Sequence, residues 1–439
     1  MDIKLICRMT HRQLLQGSCP WCDTLITEGQ VETPDDQTSR VWIIENLEAD
    51  LGDPDCEIRM NTMTNLVTYA SLPVNDVLPL FDKALEDADA RIRSRADGGL
   101  ANLGRSLSKA QADELESLLP LGEHECGLRV LLVSFYFLKQ LESKVAPTRR
   151  NHILWLIEHA PKMDFLKDYC QLLKAVDPEG YRQAKDLWLG NIEANPECPT
   201  IIANAASFFV LNDFTLCEQY LKRGLALKPG NPHWPEQLGQ LYLLRSHSRS
   251  KDGEQHDQGE STKSFAALEK AEELRESQQS TDASGSDKIG PMLRRMFSLS
   301  QLAKSAFDAS EFECPTNYST ELLSLASSSE LPELFRNDGN AVHSGNLILG
   351  RVALEMGNIE EAKSRLLASG KTQGSPNLSS FGPNMSLAKG LLELGENAVV
   401  LEYFQLCAEF WESDRDSLKS WTEQVRQGKI PEFGPNLIY

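Results

Sequence analysis

Residues 198–229 read CPTIIANAASFFVLNDFTLCEQYLKRGLALKP, and this stretch decides the fold. Apolar residues recur three and four apart on both sides of Asn212-Asp213, the spacing of two helices joined by a short turn. Counting Pro229 as position 32 places Ala205 at 8, Phe208 at 11, Cys217 at 20, Leu221 at 24 and Gly224 at 27. The small residues let paired helices approach closely, and the large ones fill the gap to the next pair. The first helix, TIIANAASFFVL, is apolar almost all the way round, so something must cover it.

The same spacing continues outward. Ala184, Trp188 and Pro196 hold positions 20, 24 and 32 of a preceding unit, while Leu238-Gly239 and Tyr242 open a following one. The second helix of that unit, SFAALEKAEEL, arrives only after a polar insertion at 245–264. Further on, NLILGRVALEMGNIEEAKSRLL supplies Leu349-Gly350, Ala353, Gly357, Ala362 and Leu366, and a later run supplies Ala388, Leu391, Gly395 and Phe404. The pattern resembles the tetratricopeptide (TPR) repeat over about 165–275 and 340–410. The resemblance implies stacked helix pairs in which positions 5, 9 and 12 face a concave surface. Those positions are Ile202, Ala206 and Phe209 in the central unit, and Arg351 and Lys389 at position 9 later on. These five are the candidate partner-binding residues. Ile202, Ala206 and Phe209 suit an amphipathic helix or an aromatic peptide, unless neighbouring helices or the chain's own tail fill the groove.

A second repeat precedes the first. Segments beginning at Asp53, Asp87 and Gly122 each run from a polar, acidic turn into Ile or Leu, then Arg, then an apolar helix. The arginines are Arg59, Arg93 and Arg129, 34 and 36 residues apart. This resembles a short variant of the HEAT repeat over about 40–145. An acidic residue in the turn can cap a helix N-terminus, and the Arg can bond the acidic turn of a neighbouring unit.

The sharpest chemical signal is ICRMTHRQLLQGSCPWCD at the N-terminus. Cys7, His11, Cys19 and Cys22 offer three sulfurs and an imidazole, a donor set for tetrahedral Zn2+. The Cys19-Pro20-Trp21-Cys22 knuckle resembles half of a zinc ribbon, although Asp23 stands where that family usually has Gly and the His11 spacing departs from it. A segment this short cannot bury a core unaided, so the zinc is expected to be structural. Two other readings stay open: thiol-redox chemistry at the CPWC cysteines, and nucleic-acid contact through Arg8, His11 and Arg12.

Composition narrows the functional classes. The 439 residues are 41% hydrophobic and 25% charged, and 64 acidic residues against 44 basic ones leave a net charge of −20. That charge opposes nonspecific binding to nucleic acid or anionic lipid. No apolar run reaches membrane-span length, no leader-like apolar stretch opens the chain, and most of the ten cysteines stand singly. A cytoplasmic location with no membrane contact is expected. Ser369-Gly370-Lys371-Thr372 resembles the end of a P-loop, but Arg365 occupies the place of the first glycine.

The sequence therefore predicts an all-α protein, an α-solenoid of HEAT-like and TPR-like helix pairs with a small N-terminal zinc-binding module. The expected segments are a zinc module at 1–38, HEAT-like repeats at 39–160 and TPR-like repeats at 161–275. A linker and irregular helical region at 276–340 then precede TPR-like repeats with a capping tail at 341–439. The expected role is a non-enzymatic scaffold for protein or peptide partners.

Overall fold

A computed structural model describes residues 44–68, 74–120, 125–137, 139, 146–248, 257–279 and 289–437. Among these residues every regular element is a helix and no strand occurs. None of the helices is long and apolar enough to cross a membrane. The chain divides into two compact units, Met1–Asp213 and Phe214–Tyr439, a coarser partition than the five expected segments. The division falls in the turn between the two helices of 198–229.

In the first unit a helical stretch at 44–50 is followed by α1 (Cys56–Thr68), α2 (Val74–Leu85), α3 (Ala90–Ser106), α4 (Lys109–Ser117) and α5 (Glu125–Phe137). Then come α6 (Ala146–His159), the single turn α7 (Leu166–Tyr169), α8 (Pro178–Ala194) and α9 (Pro199–Phe209). The helices that carry the repeated arginines lie side by side, α1 on α3 and α3 on α5. Local signals set their ends. Asp89 caps α3 by accepting from the Arg91 backbone N–H, and Ser108 and Gln111 form a reciprocal capping box on α4. Gly104 lets α3 and α5 touch, since a Cβ there would lie 2.4 Å from the Leu131 carbonyl oxygen.

Arg59 joins two successive turns. Arg59 donates to both Asp87 carboxylate oxygens, at 2.7 and 3.1 Å, and to the Asp53 carbonyl at 2.8 Å. Arg93 holds the carbonyls of Asp87 and Ala88. Arg150, which the repeat pattern did not single out, grips Asp177 at 2.7 and 2.5 Å, while Asp177 caps α8. Arg129 departs from the scheme: it pairs with Glu125 on its own helix, contacts His152 and lies over the Trp155 ring.

The second unit contains α10 (Phe214–Leu227), α11 (His233–Ser248), α12 (Gln258–Gln279), α13 (Ile289–Asp308) and α14 (Glu313–Ala326). A 3-10 turn, Glu333–Phe335, precedes α15 (Gly339–Glu355), α16 (Ile359–Gly370), α17 (Pro376–Phe381), α18 (Ser386–Glu393), α19 (Asn397–Phe410) and α20 (Arg415–Arg426). Sequential helices pack as hairpins: α11 with α12, α13 with α14, and α15 with α16. Each hairpin also packs on the next, through α12 on α13 and α14 on α15. Phe433 packs against Phe404 and Trp421, and Asn436 donates to the Phe381 and Pro383 carbonyls, so the C-terminal segment lies against the last helices.

Two polar stretches differ from expectation. Residues 258–264, read as part of a loop, are the first turns of α12, and 276–279 are its end. In the supposed irregular region, 289–308 and 313–326 form a regular hairpin. The reason is serine. Ser261, Ser264, Ser298, Ser305 and Ser319 are buried, acting as small interface residues, and Ser264 and Ser305 return their hydroxyl protons to backbone carbonyls. Polar composition concealed close helix packing.

Candidate binding site

The proposed zinc ligands Cys7, His11, Cys19 and Cys22 lie outside the described residues. Among the described residues no group of three or more His, Cys, Asp or Glu side chains could hold a metal ion. Lys371, part of the P-loop-like tetrapeptide, is the C-cap of α16.

Ile202, Ala206 and Phe209 are all buried on α9, at 0, 1 and 0% exposure. Phe208 stacks on Tyr181, Phe209 meets Phe208 edge to face, and Asn204 donates to the Pro161 and Met163 carbonyls. These three side chains are core, and as placed they present no open apolar surface. Lys389 lies on α18 within 3.7 Å of Glu393. Arg351, on α15, lines a pocket.

That pocket, about 680 Å³ in volume, lies within the second unit along α13 and α15 and is bordered by α17 and the 3-10 turn. Its volume falls in the range of small-molecule and peptide-side-chain sites. Asp308 meets Arg351 at one end, and Met296 clusters with Ala341 at the other, so α13 and α15 run in the same direction. The lining extends from Leu293 to Lys304 on α13 and from Asn340 to Arg351 on α15, which makes a groove roughly 16 Å long at 1.5 Å per helical residue. Phe297, Phe335 and Phe381 line it while remaining 51, 37 and 67% exposed.

Its ends differ in charge. Lys304 and Arg351 line the end formed by the later turns of the two helices. The Arg351 guanidinium lies 3.5 Å from Asp308 Oδ1 and 4.0 Å from the centre of the Phe307 ring. Burial lowers the Arg351 pKa against the attraction of Asp308 and Glu355. Burial also brings the Lys304 amine down to about 8; Asp308 opposes that shift and Arg351 adds to it. At the opposite end Asp338 is engaged in capping α15, accepting from the Ala341 N–H at 3.0 Å.

His343 anchors the pocket wall. The Asn384 backbone N–H points at Nε2 from 3.1 Å, so Nε2 accepts and Nδ1 carries the proton donated to the Ser369 carbonyl at 3.1 Å. Burial holds the His343 pKa down at about 4, which keeps the ring neutral. The imidazole thus ties α15 to the end of α16 and to the segment before α18.

Arg351 was legible in the sequence as a repeat position. Lys304 and Phe297 were not, because polar composition hides α13 in the sequence; the signal available was Lys304-x3-Asp308 beside Phe307. No protein-family model matches the chain, and a search of curated protein sequences finds no match.

Proposed function

We propose that this protein is a non-enzymatic, cytoplasmic protein-interaction scaffold, an α-solenoid of HEAT-like and TPR-like helix pairs. Its second unit engages apolar side chains of a protein or peptide partner through the aromatic rim of the pocket. The observation that carries this reading is the placement of Phe297, Phe335 and Phe381, three partly exposed rings around one groove. Aromatic rings kept at a concave surface supply large contact area at low entropic cost. The hairpin-on-hairpin packing of α11 to α16 supports the repeat reading, as does the adjacency of α13 and α15, alternate helices in the chain.

The partner site is tested with a photo-crosslinking residue placed at 381 in the full-length protein, against the same residue at Met356, which is 74% exposed and does not line the groove. A protein captured from 381 alone, and lost when Phe297→Ser is added, fits the reading. Equal capture from both positions overturns it.

The N-terminal segment completes the proposal, with Cys7, His11, Cys19 and Cys22 holding one structural Zn2+. Metal analysis of the protein and of a Cys19→Ser, Cys22→Ser variant decides this. Equal zinc in both, or none in the unmodified protein, refutes the assignment.

A further inference from the structure

We infer that residues 160–177 form a pH-responsive strap on the first unit, closed over Asp97 while that carboxyl is protonated and released when it ionises. The strap is independent of the pocket in the second unit.

Side chains from other elements hold the strap by its backbone. It joins α6 to α8 with only the single turn α7. Asn204 donates to the Pro161 and Met163 carbonyls, both at 2.9 Å, and Arg149 to those of Tyr169 and Gln171. Asn212 donates to the Leu172 carbonyl and accepts from the Lys174 N–H. Amide and guanidinium groups keep one state between about pH 4 and 9, so these grips do not respond to pH.

Asp97 can respond. It lies on α3, 7% exposed, with its Oδ1 lacking a hydrogen-bond partner and the Phe165 N–H, at the start of α7, reaching its carboxyl. A carboxylate so enclosed loses its hydration without full replacement by the protein. The charges that face it are Arg93 on its own helix and Asp164 and Lys167 on the strap. Arg93 is engaged by the Asp87 and Ala88 carbonyls, and Lys167 is paired with Asp164. Cys126 on α5 and Cys170 on the strap also feel Asp97, but burial pushes both thiols up to about 12, so neither adds charge. Around those thiols stand Asp82 and Glu86 from α2 and its end, Arg129 on α5, Asp168 on the strap and Arg149 on α6. On α1, Arg59 is committed to Asp87. Burial first, and then the second negative charge of Asp164, raise the Asp97 carboxyl to about 7.

Lifting the strap hydrates Asp97 and returns its carboxyl towards the usual value, about 4. Opening therefore releases a proton between about pH 4 and 7. The open fraction rises with pH by up to roughly tenfold per unit over that interval and levels off above it. Such an opening is local, because it displaces one short turn and leaves the long helices in place.

Hydrogen exchange of the full-length protein at pH 5 and pH 7, corrected for intrinsic exchange rates, tests the strap. The bonded amides of Met163, Leu166 and Tyr169 are expected to lose protection roughly ten- to hundredfold from the lower pH to the higher. Leu131 and Val133, buried on α5, are expected to stay better protected than the strap at both. In Asp97→Asn, or in Asp97→Ala should the amide variant not fold, the loss on the strap is expected to disappear. Three results overturn the inference. They are strap protection that is the same at both pH values in the parent, a loss that persists without the carboxyl, and strap amides as well protected as α5 throughout, which would mean that the strap opens only when the whole unit unfolds.

Discussion

Arg59 on α1 clasps the carboxylate of Asp87, in the turn before α3, with Nε and Nη2 at 2.7 and 3.1 Å. A third arm, Nη1, holds the carbonyl of Asp53 in the turn before its own helix, so one side chain couples two successive turns. Burial works against the Asp87 charge. The hydrogen bonds from Arg59 and from the Asp89 backbone N–H nevertheless hold its carboxyl below the usual value. A carboxyl depressed in the folded state contributes stability above its unfolded pKa, near 4, and loses it as pH falls through the folded value. Arg59→Met is therefore expected to lower the melting temperature at pH 7, with the difference from the parent shrinking below pH 4. Thermal melts across pH 3–7 check this; a pH-independent difference would show that the guanidinium acts through packing alone.

Asp97 titrates in the opposite sense. It lies 7% exposed on α3, where burial and then the neighbouring Asp164 raise its pKa to about 7, and its Oδ1 has no hydrogen-bond partner. Below pH 4 both states are protonated and the site is neutral in its effect. Between about 4 and 7 the unfolded chain releases the proton and the folded one retains it, so stability falls as pH rises. Asp97→Asn is expected to stabilise the protein at pH 8 by a few kcal/mol, on the scale of about 1.4 kcal/mol per pKa unit, and to change little at pH 4. Chemical denaturation at the two pH values measures it.

Much of the helix packing was readable because it depends on small side chains at fixed intervals. Gly350 and Ala353 lie on α15 and Ala362 and Leu366 on α16, and Ala353, Ala362 and Leu366 are buried together in one core cluster. The α13–α14 hairpin escaped because serine does there what alanine does elsewhere, and hydropathy patterns count a buried hydroxyl as polar. The pocket escaped with it, since Lys304 and Phe297 are on α13. Arg150–Asp177 was missed for another reason: Arg150 follows Ala146-Pro147-Thr148-Arg149, with none of the acidic turn that marked the other arginines. Burial of Ile202, Ala206 and Phe209 depends on which helices pack over α9, which periodicity within one helix does not encode.

His343 gives the second unit its own acid sensitivity. Its pKa of about 4 lies below the unfolded value near 6.5, so the unfolded chain binds the proton first on acidification. The stability linked to the neutral ring is complete above pH 6.5 and lost as pH falls towards 4. Replacing the ring by Phe removes this proton linkage, but it also strands the Asn384 N–H and the Ser369 carbonyl, at roughly 1–3 kcal/mol for each buried group. His343→Phe is thus expected to be less stable than the parent at pH 8, with a shallower loss between pH 6.5 and 4. Crossing or converging stability curves over that interval support the neutral tautomer; parallel curves reject it.

Gly224 offers the most direct test of close approach in the second unit. A Cβ on it would lie 2.3–2.4 Å from three atoms of the Trp234 ring, and Trp234 is only 1% exposed on the neighbouring α11. The ring is rigid and enclosed, so it cannot swing aside as a long aliphatic chain would. Gly224→Ala must either push α10 from α11 or force Trp234 off its rotamer, and overpacking of this kind costs about 1–3 kcal/mol. Gly190, in the middle of α8, has nothing within 4 Å of its notional Cβ. Gly190→Ala there removes backbone freedom from the unfolded chain and is expected to add roughly 0.5–1 kcal/mol. The same substitution should therefore lower the melting temperature at one site and raise it at the other. Trp234 fluorescence separates the causes: a shifted emission in the Gly224 variant reports displacement of the ring. A Gly224→Ala protein as stable as the parent, with unchanged emission, would mean that α10 and α11 do not approach through this glycine.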